Sequence, residues 1–438
     1  MARTRVVILG GGFAGVAAAL EFEKLLARNP DLSVTLVSKD NFISFTPMLH
    51  EVAASDLDLT HIVNPVRKLL KRVDFLLAGV EAIDLRKKEV TFAHGTDGHT
   101  HPLPYDHLVL ALGSVTNFFG IPGLAERALT MKTLGDAIQL RNRLIALLEE
   151  ADTECAAGVR CPLMTCVVAG GGFAGVETIA GVNDFVRESL RFYPHIPQEA
   201  VRMVLVHPGK VLLPELDASL GRYAAELLAE RGVNVRLEAR IAGLSETGVT
   251  LADGNEIPAR TLVWTAGTSP NPALDSLPCP KERGRVRADE FLRVPDWPGV
   301  WALGDCAVVP DGKGGLQPPT AQHALREGRT VARNIVATLR GQAPKPFTFR
   351  TLGQLASLGR RSGVASILGW NFSGFFAWFL WRSIYLSKLP RLEKKVRVAL
   401  DWTLDLLFSK DLVQFDVSRA PTVEGARAHD IHTRRQAA

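Results

Sequence analysis

The sequence predicts an α/β protein with two Rossmann-like dinucleotide-binding domains and a C-terminal α/β membrane-anchoring region. Three observations lead there. The heptapeptide GGGFAGV occurs at residues 10–16 and again at residues 170–176. Each copy follows a short apolar run, residues 6–9 and 166–169, and opens a stretch with helical spacing. Beyond residue 369 the composition turns aromatic and basic. A lone G-x-G-x-x-G is weak evidence, but a strand before it and a helix after it give each glycine a separate task. Gly10 and Gly170 make the tight turn, Gly12 and Gly172 admit a diphosphate, and Gly15 and Gly175 let helix and strand pack closely. Phe13, Ala14, Phe173 and Ala174 lie on the turns, where a bare helix N-terminus offers amide N–H groups and a partial positive charge to an anion. Two copies imply two dinucleotides.

The elements follow in order. In the first unit the spacing predicts a helix over residues 12–28 and a strand over 33–37, a βαβ start. A loop rich in Phe and Pro (41–50), a helical piece (62–72) and a strand (75–78) come next, then a buried strand over 107–112 that stops at Gly113. A helix over 134–150 places Leu134, Ile138, Ile145 and Leu148 on one face, and residues 155–162 read as a loop. The second unit repeats strand, turn and helix, then a Pro-marked insertion and a strand over 202–206. Two further apolar runs close on small residues at a ligand edge, 262–265 on Ala266-Gly267 and 300–303 on Gly304-Asp305. A helix starts near Thr320. These divisions predict the first part of one dinucleotide-binding domain at 1–118, a second such domain at 119–267, the second part of the first domain at 268–340, a membrane-anchoring region at 341–416 and a loose polar tail at 417–438.

Composition bounds the function. With 47% hydrophobic and 22% charged residues the chain reads as globular, and 51 basic against 46 acidic residues leave only +5, too little to argue for nucleic acid. Five scattered cysteines suit free thiols in a reducing compartment. No C-x-x-C or C-x-x-x-x-C follows the first glycine turn, which disfavours a disulfide reductase, and Cys155, Cys161, Cys166 and Cys306 read as packing or loop thiols. The eleven histidines show no ligand spacing, so no metal is expected. The first strand begins near Arg5 and leaves no room for a signal peptide, so synthesis is expected in the cytoplasm.

The two fingerprints with the Gly304-Asp305 closing motif resemble the two-dinucleotide-binding flavoproteins. Phe45-Thr46-Pro47-Met48-Leu49, Thr320-Ala321-Gln322-His323-Ala324 and Phe372-Ser373-Gly374-Phe375-Phe376-Ala377-Trp378 narrow the match. They resemble the type II NADH:quinone oxidoreductases, also called alternative NADH dehydrogenases. The resemblance implies FAD on the first turn, with Ser38, Lys39, Thr46, Pro47, Val80, Gly113, Gly304, Asp305, Ala321 and Gln322 around it. It implies NADH on the second turn, with Glu177, His207 and Gly267. Glu177, Gln322 and Arg326 are its candidate catalytic residues. Glu177 closes the second motif where the first copy has Ala17, an asymmetry that suggests a task at the nicotinamide. The implied activity is respiratory electron transport from NADH to a membrane quinone without proton pumping, on the cytoplasmic side of the cell membrane.

Two departures qualify the match. The fingerprint asks for an acid at the end of each second strand, and Ser38 and His207 stand there. A carboxylate would repel a 2′-phosphate and a histidine does not, which leaves NADPH open. Arg326 replaces the usual second Gln, either to polarise a quinone oxygen or to face solvent.

Four of the seven tryptophans, Trp370, Trp378, Trp381 and Trp402, fall in the C-terminal region with Phe372, Phe375, Phe376, Phe379 and Phe408, beside Arg382, Lys388, Arg391, Lys394, Lys395 and Arg397. Rings inward and cations toward anionic lipid describe a monotopic anchor. A dimer interface is the competing reading of the same surface. Residues 364–381 are uncharged, but Gly369, Asn371, Ser373 and Gly374 interrupt them, against a spanning helix. Two other functions share the fold: a soluble reductase for a ferredoxin or rubredoxin, and a flavin-based redox sensor.

Overall fold

The computed structural model describes residues 3–94 and 98–415; the tail expected at 417–438 lies outside them. Two five-stranded parallel sheets form the body. The first runs Val300–Ala302, His107–Leu110, Thr4–Leu9, Leu32–Ser38 and Asp74–Leu77; the second runs Leu129–Thr130, Thr261–Trp264, Thr165–Ala169, Arg202–Val206 and Val233–Arg236. In both, the middle strand feeds the glycine turn. Val6 to Leu9 and the whole of Thr165–Ala169 are buried, as expected of strands covered on both faces by helices. The first sheet is completed by a strand from far down the chain, so the residues after it reach the first glycine turn only through folding.

The helix Phe13–Leu26 packs against the helix Ala321–Leu339 at backbone contact. A Cβ on Gly328 would stand 2.2 Å from the Ala14 carbonyl oxygen and 3.0 Å from the Ala17 Cβ. Glycine facing alanines is what lets the start of the second helix lie beside the first turn. The helix Leu134–Thr153 begins with a capping box: the Thr133 side chain accepts from the Asp136 N–H (3.2 Å) and the Asp136 carboxylate accepts from the Thr133 N–H (2.9 Å).

Three local expectations are corrected. Residues 62–72 hold a strand, Val63–Pro65, and a one-turn helix, Val66–Leu69, because Pro65 holds the residue before it out of the helical region. Residues 155–162, expected as a loop, carry the helix Ala157–Leu163, tied back by Arg160 Nε donating to the Ala151 carbonyl at 3.1 Å. The uncharged run at 364–381 is divided among the antiparallel strands Gly363–Ile367 and Trp370–Ser373 and the start of the helix Gly374–Lys388. No helix among the described residues is long and apolar enough to cross a membrane.

The C-terminal strands and the helices Gly374–Lys388 and Leu392–Leu404 do not stand apart. The segment expected as a loop at 41–50 holds the strand Phe42–Ser44, a turn Thr46–Met48 and the start of the helix Leu49–Ala53, and Trp381, Val398 and Trp402 are buried in one core with Met48, Leu49 and Val52 of these elements and with Val176, Ile179 and Ala180 of the second glycine-turn helix.

The Gly328 contact is testable. Gly328→Ala forces a methyl into the Ala14 carbonyl and is expected to cost about 1–3 kcal/mol, read as a lower thermal unfolding midpoint together with loss of bound flavin on gel filtration.

Candidate active site

The two glycine turns are near copies in geometry. Gly10 and Gly170 have φ of +111° and +114°, a region that favours glycine. A Cβ on Gly15 would lie 1.9 Å from the Gly10 carbonyl oxygen, and one on Gly175 1.8 Å from that of Gly170. The middle glycines differ from these. A Cβ on Gly12 would meet nothing within 4 Å, and one on Gly172 would meet only the Glu215 carboxylate at 3.8 Å. Neither helix start has a side-chain cap. Each turn therefore points uncapped amide groups into open space, which fits a diphosphate.

Neighbouring strands close around both turns. A Cβ on Gly10 would strike the Ala111 carbonyl oxygen at 2.2 Å, which puts Gly113 beside the first turn; one on Gly170 would meet Thr265 Oγ1 at 2.6 Å, which puts Gly267 beside the second. Ser38 and His207 both lean on their turns, 2.3 Å and 2.6 Å from where Cβ atoms of Gly11 and Gly171 would be. His207 Nδ1 accepts from the Gly171 N–H at 3.0 Å, its Nε2 has no partner, and burial lowers its pKa. His207 is thus a neutral brace on the turn, with the Val211 backbone beside its ring.

Gly304 brings Asp305 to the first turn, since a Cβ there would sit 3.2 Å from the Ala14 Cβ. Asp305 Oδ2 accepts from Ser114 Oγ at 2.7 Å, Lys132 Nζ donates to the same hydroxyl at 2.7 Å, and Lys132 stands 3.9 Å from the carboxylate. Burial lowers the Lys132 pKa and the Asp305 charge opposes it. Ser114 and Lys132 were missed from the sequence: a lone lysine before a helix carries no signal until the fold sets it against Asp305. Glu327 Oε2 accepts from the Gly304 N–H at 2.7 Å and so braces the Asp305 turn; burial pushes its carboxyl up to about 7. Cys306 is fully buried with its thiol pushed up to about 11, a packing thiol.

The helix start at Ala321 also lacks a side-chain cap. Gln322 Nε2 donates to the Gly353 carbonyl at 2.7 Å and so ties this helix to the C-terminal sheet. Arg326 does not extend into solvent: its guanidinium lies 3.9 Å over the Phe349 ring, and its Nη1 donates to the Gln322 carbonyl at 2.9 Å. Thr46 and Pro47 form the turn Thr46–Met48, which follows Phe45; the Phe45 ring meets Phe13 edge-on at 6.0 Å and Tyr385 at 5.9 Å. Lys39 is exposed beyond Ser38, and Val80 is half-buried in the strand Gly79–Asp84.

Glu177 is buried, not solvated. Its Oε1 accepts from the Ser357 N–H at 3.0 Å and from Trp381 Nε1 at 2.9 Å, and its Oε2 lies 3.7 Å from His50 Nδ1. Burial pushes its carboxyl up to about 8 and lowers His50 to about 4. At neutral pH Glu177 therefore holds its proton, and His50 is uncharged. The sequence singled out Glu177, but its partners come from three distant segments.

Comparison with known proteins gives the family. Residues 4–328 match the pyridine nucleotide-disulphide oxidoreductase family, and residues 352–411 match the NDH2 C-terminal domain. The type II NADH:quinone oxidoreductase Ndh of Mycobacterium tuberculosis is 32% identical, over 93% of this chain and 89% of that protein. The demethylphylloquinone reductase NdbB of Synechocystis is 32% identical, over 92% of this chain and 96% of that protein. Among solved structures, NDH2 of Plasmodium falciparum in complex with NADH superposes with a TM-score of 0.87 at 19% identity, covering 94% of this chain and all of that one, a likeness of fold. By its two family matches and its full-length relatives, the chain belongs to the type II NADH:quinone oxidoreductases.

Proposed function

We propose that this chain oxidises NADH and reduces a membrane quinone through FAD, without pumping protons, while lying on the membrane surface. The observation that carries this reading is the pair of open glycine cradles, with a buried, protonated Glu177 in the helix behind the second. FAD, when bound, supplies the ring that accepts a hydride and passes two electrons on. The chain's own residues do the rest. Gly12 and the uncapped helix behind it receive one diphosphate; Gly172 and its helix receive the other. Asp305, positioned by Ser114 and Lys132, meets the polar arm of the flavin. Thr46, Pro47, Ala321 and Gln322 border the ring. The overall reaction, NADH plus H⁺ plus quinone giving NAD⁺ plus hydroquinone, draws one proton from the medium, and Glu177 is a carboxyl that carries one at neutral pH. We assign residues 1–118 and 268–340 to the flavin, 119–267 to the nicotinamide and 341–416 to the membrane face.

The membrane face is sharper than the composition suggested, and differently built. Trp381, Trp402, Arg382 and Lys394 are not part of it: the two tryptophans are buried, Arg382 lies 4.2 Å over Trp378 and 4.6 Å over Trp402, and Lys394 donates to the Thr60 carbonyl. Trp370 and Phe408 are exposed, as are Phe375, Phe376 and Phe379 on one helix and Leu392, Val396, Leu400 and Leu404 on the next. The latter four recur at every fourth residue and form one stripe. Lys388 and Arg397, both exposed, flank them. Apolar helix faces rimmed by cations suit an anionic lipid surface better than a small acidic redox protein, which favours the quinone reading over a soluble reductase.

Five outcomes test this. Purified holoprotein is expected to lose its flavin colour on NADH addition and recover it on adding a quinone. Glu177→Gln keeps an acceptor for Ser357 and Trp381 but carries no proton, so reoxidation by quinone should slow by about 10²-fold while reduction by NADH persists. The wild-type rate should fall as pH rises past about 8, where Glu177 ionises. Leu392→Glu with Leu400→Glu should weaken binding to phosphatidylglycerol vesicles by about 10-fold or more and leave flavin reduction by NADH unchanged. His207→Asp should lower kcat/KM for NADPH relative to NADH by about 10-fold or more, through repulsion of the 2′-phosphate.

A further inference from the structure

Beside Glu177 lies a second buried carboxyl that the reaction scheme does not use. Glu51, in the short helix Leu49–Ala53, is 4% exposed against 6% for Glu177. Its Oε2 accepts from Trp402 Nε1 at 3.0 Å, just as Glu177 accepts from Trp381. The two indoles are neighbours, with ring centres 6.4 Å apart, and His50, the residue before Glu51, sits 5.4 Å from the Trp381 ring and 3.7 Å from Glu177. Two carboxyls thus share one dry cluster and are built alike, each on an indole N–H from a C-terminal helix.

We propose that Glu51 and Glu177 form a single proton-sharing pair, in which Glu51 is the positioning and reloading partner of Glu177. The surrounding charges support this. The cations facing Glu51 are Arg382, whose Nη2 is 3.9 Å from Oε1, and Lys410, which is already committed to Asp56 at 2.6 Å. Asp184 and Asp405 also face Lys410, and they are answered by Arg231 and Arg360. Tyr385 faces Glu177 and stays neutral, its hydroxyl pushed upward by burial. His50, held neutral, adds no charge, and its Nε2 is buried with no partner. Arg382 and Lys410 against Asp56, Glu51 and Glu177 leave one net negative charge in an interior that water does not reach, and one retained proton removes it. Burial pushes both carboxyls upward, and the Glu51 charge adds to the rise at Glu177.

The use of the pair rests on the quinone reading. Each turnover needs one proton from the medium; Glu177 releases the shared proton toward the substrate, and Glu51 takes up its replacement from the side of Asp56, which is more exposed than either carboxyl, and returns it to Glu177 beside the neutral imidazole of His50. No electron moves in this relay, and each residue ends as it began.

The test reads the carboxyls themselves. Infrared titration of the carboxylic C=O stretch in the NADH-free holoprotein, with Glu51→Gln and Glu177→Gln for assignment, is expected to show two separated steps in the wild type. Glu51→Gln should collapse them to one, with Glu177 titrating about one pH unit or more below the wild-type upper step; Glu177→Gln should do the same for Glu51. Trp402→Phe keeps both carboxyls and removes the N–H that favours ionised Glu51, so the upper step should rise. If Glu177 titrates at the same pH with and without the Glu51 carboxyl, or if Trp402→Phe moves nothing, the pair does not exist. The measurement uses no quinone, so a protein that fails to reduce quinone can still show the pair, and a working quinone reductase can still lack it.

Discussion

A backbone-to-backbone contact that tolerates no side chain underlies the molecule. Gly15 lies over the Gly10 carbonyl and Gly175 over that of Gly170, at distances where a Cβ would be nearly on top of the oxygen. That closeness sets the angle at which each helix leaves its sheet, and so the direction in which its uncapped amides point. The third close contact, Gly328 on Ala14, carries the same constraint to the helix Ala321–Leu339 and aims its start at the first cradle. From these contacts follow the placement of Asp305, Gln322 and the C-terminal sheet that Gln322 holds.

Around this frame, buried carboxyls serve as joints between segments. Glu327 holds the Gly304 amide, Glu177 holds Ser357 and Trp381, and Glu51 holds Trp402. Each is a group that burial would make costly if charged and unpartnered, and each instead accepts one or two N–H donors with its proton retained or shared. The C-terminal helices therefore carry two unlike faces. Their inner tryptophans are hydrogen-bonded into the proton-bearing cluster, and their outer stripe of Leu392, Val396, Leu400 and Leu404 is left without protein cover. The bare apolar surface and the buried carboxyl cluster are back to back on the same two helices.

Legibility varied with the range of the interaction. The glycine turns, both central strands, the helices behind them and the closing Gly304-Asp305 were readable because their signals are local: a period of two or 3.6 residues, or a glycine where no other residue fits. The helix at 62–72 failed on a local rule as well, since Pro65 acts on the residue before it. Glu177 was readable as an asymmetry between two copies, but its burial was not. Glu51, Lys132 and Ser114 had no sequence signal, because a carboxyl on a short helix, an ammonium before a helix or a hydroxyl at a strand start looks like any solvated one until distant segments cover it. The aromatic and basic C-terminal segment showed that some surface there would be apolar, without separating Trp381 and Trp402, which face inward, from Phe375 and Phe379, which do not.

The sequence by itself determined the class of the fold, the number of nucleotide cradles and the chain's family resemblance, because each depends on residue types at fixed short spacing. Tertiary structure alone decided which charges are buried, which indoles meet which carboxyls and which helix face is bare. Those outcomes depend on desolvation and on pairs of residues hundreds of positions apart, such as Glu177 with Trp381 and Glu51 with Trp402, whose energies exist only once the two units and the C-terminal helices have closed on one another.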